Sequence, residues 1–471
     1  MTSTCFLKKY GLFIFLFLLS VALQAQSMEY KKAINDFQRH YNNKDADAIF
    51  NSFSPNMQHA ISLKKTKSFI QSLHSQLGAM EQATFIEYSL NTRALFKSDF
   101  KRGTMAVYLS LDTNKQLNLL LVKPYETPIV PQYQVTPQLD AYPQAIADSI
   151  FTYTKAFPNA TQLAIAVVQD GQTSYYGIIK EKNVVHPISN EQSIFEIGSI
   201  TKVFTSSVLA SLVHKELISL DGSITPYYPY DIKENPNITF KSLANHTSGL
   251  PRLPDNLNPK VKENPYQEYN ETKLKAYLQR FLPSSTTPAY IYSNLGAGIL
   301  GYTLARSQET TFPILIQEEI LTPYGLSHTY TNPEAVPNQL VLGLDESGNT
   351  TSNWHFDTLF AAGGLLSCVA DLAVFANAQF NPDDDTLALT RIPTVSVSPT
   401  MQIGLGWHII TSKKGQTLYW HNGGTGGYSS SMAIDTANKT AVVILSNVSP
   451  SNTYGKNIDK LCFGLLPTTE N

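Results

Sequence analysis

The 471-residue chain is expected to be an α+β protein. It should hold a small α+β unit, then a larger domain with an antiparallel sheet, flanking helices and a helical subdomain. Three observations predict this. Apolar residues change from a helical to an alternating period within residues 28–123. Pro124, Pro128, Pro131, Pro137 and Pro143 then punctuate a segment with few charges, the composition of a semi-rigid linker. Beyond it, strand patterns at residues 162–179 return only at Thr417–Leu445, with helical patterns between them, so the sheet is split in the chain.

Composition narrows the function. A formal net charge of −2 with 15% charged residues supplies no basic stripe to displace counterions from nucleic acid. A hydrophobic content of 42% excludes a disordered chain. Residues 1–25 have the layout of a secretory signal. Lys8 and Lys9 precede an apolar run from Gly11 to Leu19 that resumes at Val21–Leu23, and Ala25 is a small residue for cleavage. The run is shorter than the roughly 20 residues that span a bilayer, and no later stretch is long and apolar enough, so an exported protein, periplasmic or extracellular, is expected. Of three cysteines, Cys5 leaves with the signal; Cys368 and Cys462 lie in apolar surroundings and are expected to pack in the core rather than form a disulfide framework. No Cys/His cluster has metal-ligand spacing, and no cofactor is expected.

Along residues 28–123, Ala33, Ile34, Phe37 and Tyr41 form one helical stripe and Ala46, Ile49, Phe50 and Phe53 a second. A third helix should run from Leu63 to Leu77, with Ser62 and Gly78 as its caps. Met105, Val107, Leu109 and Leu111 then alternate, and Leu117–Val122 is a further strand after the Asp112-Thr113-Asn114 turn. Helices followed by strands in this way resemble the nuclear transport factor-like fold, a cone of helices and curved sheet. The linker occupies 124–139 and the larger domain 140–471. In the latter, a helix near Ala145–Ala156 leads to a strand, Gln162–Val168, and the Asp170-Gly171 pair turns it into a second, Gln172–Ile179.

Three stretches carry candidate chemistry. In Phe195-Glu196-Ile197-Gly198-Ser199-Ile200-Thr201-Lys202, serine and lysine three apart share one helix face, and a serine hydroxyl needs an adjacent base to become a nucleophile. The spacing alone is weak, since Ser62…Lys65 and Ser98…Lys101 repeat it and read as solvated faces. Ser199 differs in its context: Gly198 precedes it, and Val203, Phe204, Val208, Leu209 and Leu212 follow on a helix that would bury the base. Tyr292-Ser293-Asn294 opens a Gly/Ala/Leu helix and offers a phenol for proton transfer and an amide for substrate. Trp420-His421-Asn422-Gly423-Gly424-Thr425-Gly426-Gly427 precedes a β run. Glycines there suit close approach to a strand backbone.

Ser-x-x-Lys, Tyr-x-Asn and His-x-Gly in this order resemble the serine β-lactamase and penicillin-binding DD-peptidase superfamily, on the class C side. Leu243–Pro251, Ala362–Ser367 with Asp371, and Gly404–Trp407 extend the resemblance over roughly residues 140–465. It implies a β-lactamase/transpeptidase-like fold and an acyl-enzyme on Ser199, with Lys202 and Tyr292 handling its proton. It further implies substrate held by Asn294, His421, Gly423 and Gly424, and an oxyanion hole from the Ser199 and Gly424 backbone N–H groups. The substrate would be a small molecule or peptide: a β-lactam, a D-amino-acid peptide or a small ester. Two departures bear on this. His421 stands where class C enzymes usually have lysine, and Asn422 replaces the usual Thr or Ser. A cationic His421 would attract an anionic substrate until pH passed the ordinary imidazole pKa of about 6.5. His246 reads as a loop-holding residue near the cleft, and residues 252–271 as a rim on which Tyr266 and Tyr269 either line the site or cover apolar surface. The alternative reading is a catalytically retired ligand-binding or sensor module that keeps the cleft.

Overall fold

A computed structural model describes residues 28–89, 93–112, 114–125, 134–232, 238–257, 264–282, 289–336, 340–412 and 415–467. The expected signal, residues 1–25, lies outside them. The chain divides into two compact units, Met1–Pro128 and Ile129–Asn471. Among the described residues no helix is long and apolar enough to cross a membrane.

In the first unit, helices at 28–42, Ala46–Asn51 and Leu63–Leu77 pack with an antiparallel sheet of four strands, Met80–Ser89, Arg93–Phe100, Gly103–Leu111 and Leu117–Pro124, in chain order. Ser62 caps the third helix by accepting from the Lys65 N–H, and Gly78 ends it at φ +74°. Ile34, Phe37, Tyr41, Ile49, Phe96 and Val107 are in the core, and the buried Tyr41 hydroxyl donates to Gly78 O at 2.8 Å. Two of these strands and a short helix, Pro55–Ala60, are additions to the expected pattern. Met80–Ser89 exposes Phe85 and Ile86 side by side, which hides its period. In Arg93–Phe100 a buried Ser98 interrupts the apolar alternation. Ser98 and Lys101 therefore form no helix face, and the expectation of a solvated face is corrected for this pair.

The second unit opens with helix α1 (Gln144–Thr154) and strand β1 (Gln162–Gln169). Helices α2 (Thr201–His214), α3 (Phe240–Ala244), α4 (Asn294–Ser307) and α5 (Val369–Ala378) follow. Strands β2 (His408–Thr411), β3 (Thr417–Gly424), β4 (Ser429–Asp435) and β5 (Thr440–Ser446) and helix α6 (Asn457–Leu465) close the chain. β2 to β5 run as an antiparallel meander, and β5 pairs with β1 from Thr440↔Gln169 to Ser446↔Leu163. First and last strands thus meet as the split pattern requires. β4 and β5 are buried throughout, as strands covered on both faces must be.

Three details depart from expectation. Residues 172–179 are two strands, Gln172–Tyr175 and Ile178–Glu181. The break falls at Gly177, where a Cβ would sit 2.2 Å from both Ile188 O and Asn190 Oδ1. The sheet resumes at Val395–Ser398, ahead of Thr417. Thr136–Pro137, placed in the linker, pairs in parallel with Val184–Val185, so the sheet is antiparallel apart from this edge. Cys368 and Cys462 are free and buried.

Candidate functional site

The turn bearing Ser199 is held from both sides. Phe195–Glu196 pairs with Leu366–Ser367, and Ile197 N–H donates to Leu365 O at 3.1 Å. Gly198 adopts φ +51°, and a Cβ there would stand 2.5 Å from Gly424 N. Only glycine brings the serine turn this close to the end of β3. Gly423 is equally tight, with a built Cβ 2.1 Å from Ile197 O, and Ser430 Oγ donates to that same carbonyl at 2.8 Å.

Ser199 therefore stands half-buried on a 3₁₀ turn that runs into α2. Lys202, 2% exposed, reaches back one turn, its Nζ 2.9 Å from Ser199 Oγ and 2.6 Å from Ala362 O. The same segment, residues 361–365, clamps α2 twice more. Thr205 Oγ1 donates to Ala361 O, and Leu365 N–H donates to Thr201 Oγ1. Burial, with a smaller contribution from the Arg252 charge, holds the Lys202 pKa well below its ordinary value, because a desolvated ammonium is unfavourable.

Tyr292 arrives from the entry to α4. Ser293 caps that helix by accepting from Gly296 N–H at 2.8 Å and donates to Pro251 O at 2.6 Å. Asn294 N–H donates to Arg252 O at 3.0 Å. His246, at φ +64°, accepts from Ser293 N–H through Nδ1 at 3.2 Å. This is the loop-holding role expected of it, although its ring also packs 4.5 Å from that of Tyr292. The Tyr292 ring lies under Lys202, whose Nζ is 5.0 Å from the ring centroid. Burial pushes the phenol's pKa up to about 12, against the pull of the neighbouring Ser199 and Arg252, so the phenol stays protonated at neutral pH.

His421 on β3 is 1% exposed, its ring 6.1 Å from Tyr292 and 5.0 Å from His408. Burial is the first cause, and His408 and Lys202 further ones, that hold its imidazole well below 6.5. In this surrounding the ring is neutral at pH 7. Strand alternation turns Asn422 to the opposite face, where its Nδ2 donates to Asp459 Oδ2 on α6 at 2.9 Å. Asn294 donates to the Tyr266 hydroxyl at 2.8 Å and leaves its buried Oδ1 without a partner among the described residues.

Ser199, Lys202, Tyr292, Asn294, His421, Gly423 and Gly424 are thus gathered about one crevice. Tyr266 joins it, whereas Tyr269, 1% exposed and donating to Asn256 Oδ1, belongs to the core. Sequence reasoning misses three side chains. Arg252 places its guanidinium 5.2 Å from the Tyr292 ring centroid. His408 bonds Tyr290 through Nε2 at 3.2 Å. Glu196, 5% exposed, accepts from Asn353 Nδ2 and Trp354 N–H. Position was the available signal, since Arg252 heads the 252–271 rim directly after Leu243–Pro251 and His408 follows Gly404–Trp407. Among the described residues, no group of three His, Cys, Asp or Glu side chains is arranged to hold a metal ion. Chemically, the crevice offers a hydroxyl, an amine of lowered basicity, a protonated phenol and two adjacent glycine backbones.

The Beta-lactamase family model matches residues 153–461, and a family described as a protein of unknown function (DUF3887) matches residues 35–120. A Beta-lactamase of Pseudomonas fluorescens is 25% identical, the match covering 52% of this chain and 69% of that protein. The D-alanyl-D-alanine-carboxypeptidase/endopeptidase AmpH of Escherichia coli (strain K12) is 27% identical over 62% of this chain and 80% of its own length. Across seven curated relatives, the chain spans between 32% and 80% of the relative's length. Among solved structures, a Beta-Lactamase/D-Alanine Carboxypeptidase from Pseudomonas syringae superposes with a TM-score of 0.58. It is 22% identical and covers 69% of this chain and 99% of its own.

Proposed function

The chain belongs to the Beta-lactamase family, and from that premise we propose that it is an exported serine hydrolase cleaving an amide or ester through an acyl-enzyme on Ser199. One juxtaposition supports the reading: Lys202 Nζ lies 2.9 Å from Ser199 Oγ and 5.0 Å from the centroid of the Tyr292 ring. Burial disfavours the Lys202 ammonium, so this amine can take the serine proton more readily than an ordinary exposed lysine. Ser199 Oγ attacks the carbonyl carbon as its proton passes to the Lys202–Tyr292 pair. The C–N or C–O bond of the tetrahedral adduct then breaks, and Tyr292 returns a proton to the departing amine or alcohol. Water repeats the sequence on the ester to release the acid and restore Ser199. The carbonyl oxygen lies between the Ser199 and Gly424 backbone N–H groups, and loss of one such donor costs about 10²–10³ in kcat. Asn294 Oδ1, buried and unpartnered among the described residues, accepts from the substrate's N–H. Export rests on the pattern of residues 1–25.

Labelling with a fluorophosphonate and with a fluorescent penicillin, in wild type and Ser199→Ala, tests the proposal. A Ser199-dependent adduct is expected; its absence with both reagents overturns the hydrolase and favours the retired binding module. A panel of nitrocefin, a D-Ala-D-Ala peptide and p-nitrophenyl esters then ranks the substrate classes.

A further inference from the structure

The two walls of the crevice differ in what they can hold. On β3, His421 Nδ1 lies 2.6 Å from Asn422 O. A carbonyl oxygen only accepts, so Nδ1 carries the ring proton. Nε2 of the neutral ring is then a buried lone pair without a partner among the described residues. Such an atom accepts a hydrogen bond and offers nothing to a carboxylate. A cation stands on the other wall. Arg252 is exposed, its guanidinium stacked 5.2 Å from the centroid of the Tyr292 ring. It makes no ion pair with a carboxylate among the described residues. The backbone at this position is fixed separately, since its carbonyl accepts from Asn294 N–H.

We infer that Arg252 is the anion-recognition residue of this site and selects acyl compounds whose leaving group carries a free carboxylate. The inference rests on the serine-hydrolase reading, in which Tyr292 faces the leaving group. A planar guanidinium beside that phenol can take the leaving group's carboxylate through two parallel N–H···O bonds. The strand wall, which presents an acceptor at His421, then receives a donor from the acyl side. Reach into the site is also evident in the electrostatics: the Arg252 charge acts on Lys202, Tyr266 and Tyr292 alike.

The test uses two esters of N-acetyl-D-alanine that differ only in the leaving alcohol, glycolate or its neutral isostere glycolamide. In wild type, kcat/KM should favour the glycolate ester by about tenfold to hundredfold, the range of a charge-assisted hydrogen bond, and less at high salt. Arg252→Gln should bring the ratio close to one, and Arg252→Lys should retain part of it. An unchanged ratio in Arg252→Gln overturns the inference. Turnover of neither ester, with wild type and Ser199→Ala alike, instead counts against the hydrolase reading. Calorimetric binding of the corresponding non-cleaved N-acetyl-D-alanyl amides, glycine-ended against glycinamide-ended, then decides Arg252 separately. At least tenfold weaker binding of the anion alone in Arg252→Gln sustains it, and equal affinities refute it.

Discussion

Replacing Gly198 by alanine probes the contact on which the geometry turns. The added methyl would lie 2.5 Å from Gly424 N and 3.0 Å from Gly424 O, at a backbone φ of +51°. An L-residue there costs about 1–2 kcal/mol, and relieving the overlap moves one backbone by roughly half an ångström or more. Gly424 is itself confined, since a Cβ built on it would meet Pro450 Cγ at 2.7 Å. The displacement falls on the Ser199 turn, which separates Ser199 Oγ from Lys202 Nζ and from the Gly424 N–H. Overpacking adds about 1–3 kcal/mol, so total destabilisation is about 2–5 kcal/mol. Misplacement near 1 Å costs about 10² in rate and loss of one oxyanion donor about 10²–10³, and the shift expected here produces one of the two.

The assay is the second-order rate of fluorophosphonate labelling, read beside thermal unfolding. Gly198→Ala should label about 10²–10³ times more slowly. Gly171→Ala supplies the control, because Gly171 has φ +81° with nothing within 4 Å of its built Cβ. It carries the strain without the collision, and should lose about 1 kcal/mol with labelling unchanged. If Gly198→Ala folds and labels within threefold of wild type, the close approach of the two backbones is not what positions the nucleophile.

Two further outcomes follow from titrations. Burial, and then Arg252, hold the Lys202 pKa well below 10.5, so the labelling rate should rise with pH as the amine deprotonates and level off far below pH 10; a limb rising near 10 would contradict a neutral base. Burial pushes the Asp459 carboxyl up to about 6, so the native state keeps that proton longer than the unfolded chain, whose carboxyl titrates near 3.9, and stability is lost as pH rises between those values. Asp459→Asn keeps an oxygen for Asn422 and should raise Tm above pH 6 by the equivalent of about 1–3 kcal/mol while matching wild type near pH 4; parallel Tm curves would exclude the buried charge as the cause.

Much of the fold was legible where one face of an element is buried. Ser62 and Gly78 mark their helix because caps act locally, and β1 reads as a strand because Leu163 to Val168 are almost all apolar and enclosed. Met80–Ser89 and Val395–Ser398 escape notice for the opposite reason: both are partly exposed edge strands, and exposure removes the alternation. In the site, Ser199 and Lys202 are legible as a pair because helix geometry relates them. Tyr266 and Tyr269 could not be told apart, since nothing local decides that one hydroxyl meets Asn294 and the other Asn256.

The site residues that stayed hidden share a physical cause: the framework of the crevice is made mostly by main-chain acceptors. Lys202 is steadied by Ala362 O, Ser430 by Ile197 O, Ser293 by Pro251 O and the Asn294 amide by Arg252 O. A carbonyl has the same chemistry whatever side chain it belongs to, so these clamps leave little mark on residue type. Their trace is indirect, in glycines that permit the approach at 198 and 423 and in the positive φ of His246. Charge state is hidden for a related reason. His421 reads as a potential cation in isolation; what makes it neutral is the enclosure built by His408 on the neighbouring strand β2 and by Lys202 and Tyr292 from segments far away in the chain. A basic residue type at this strand position is therefore insufficient to assign anion binding. Among the described residues the cation proposed for that task is Arg252, whose guanidinium lies 5.2 Å from the Tyr292 ring centroid.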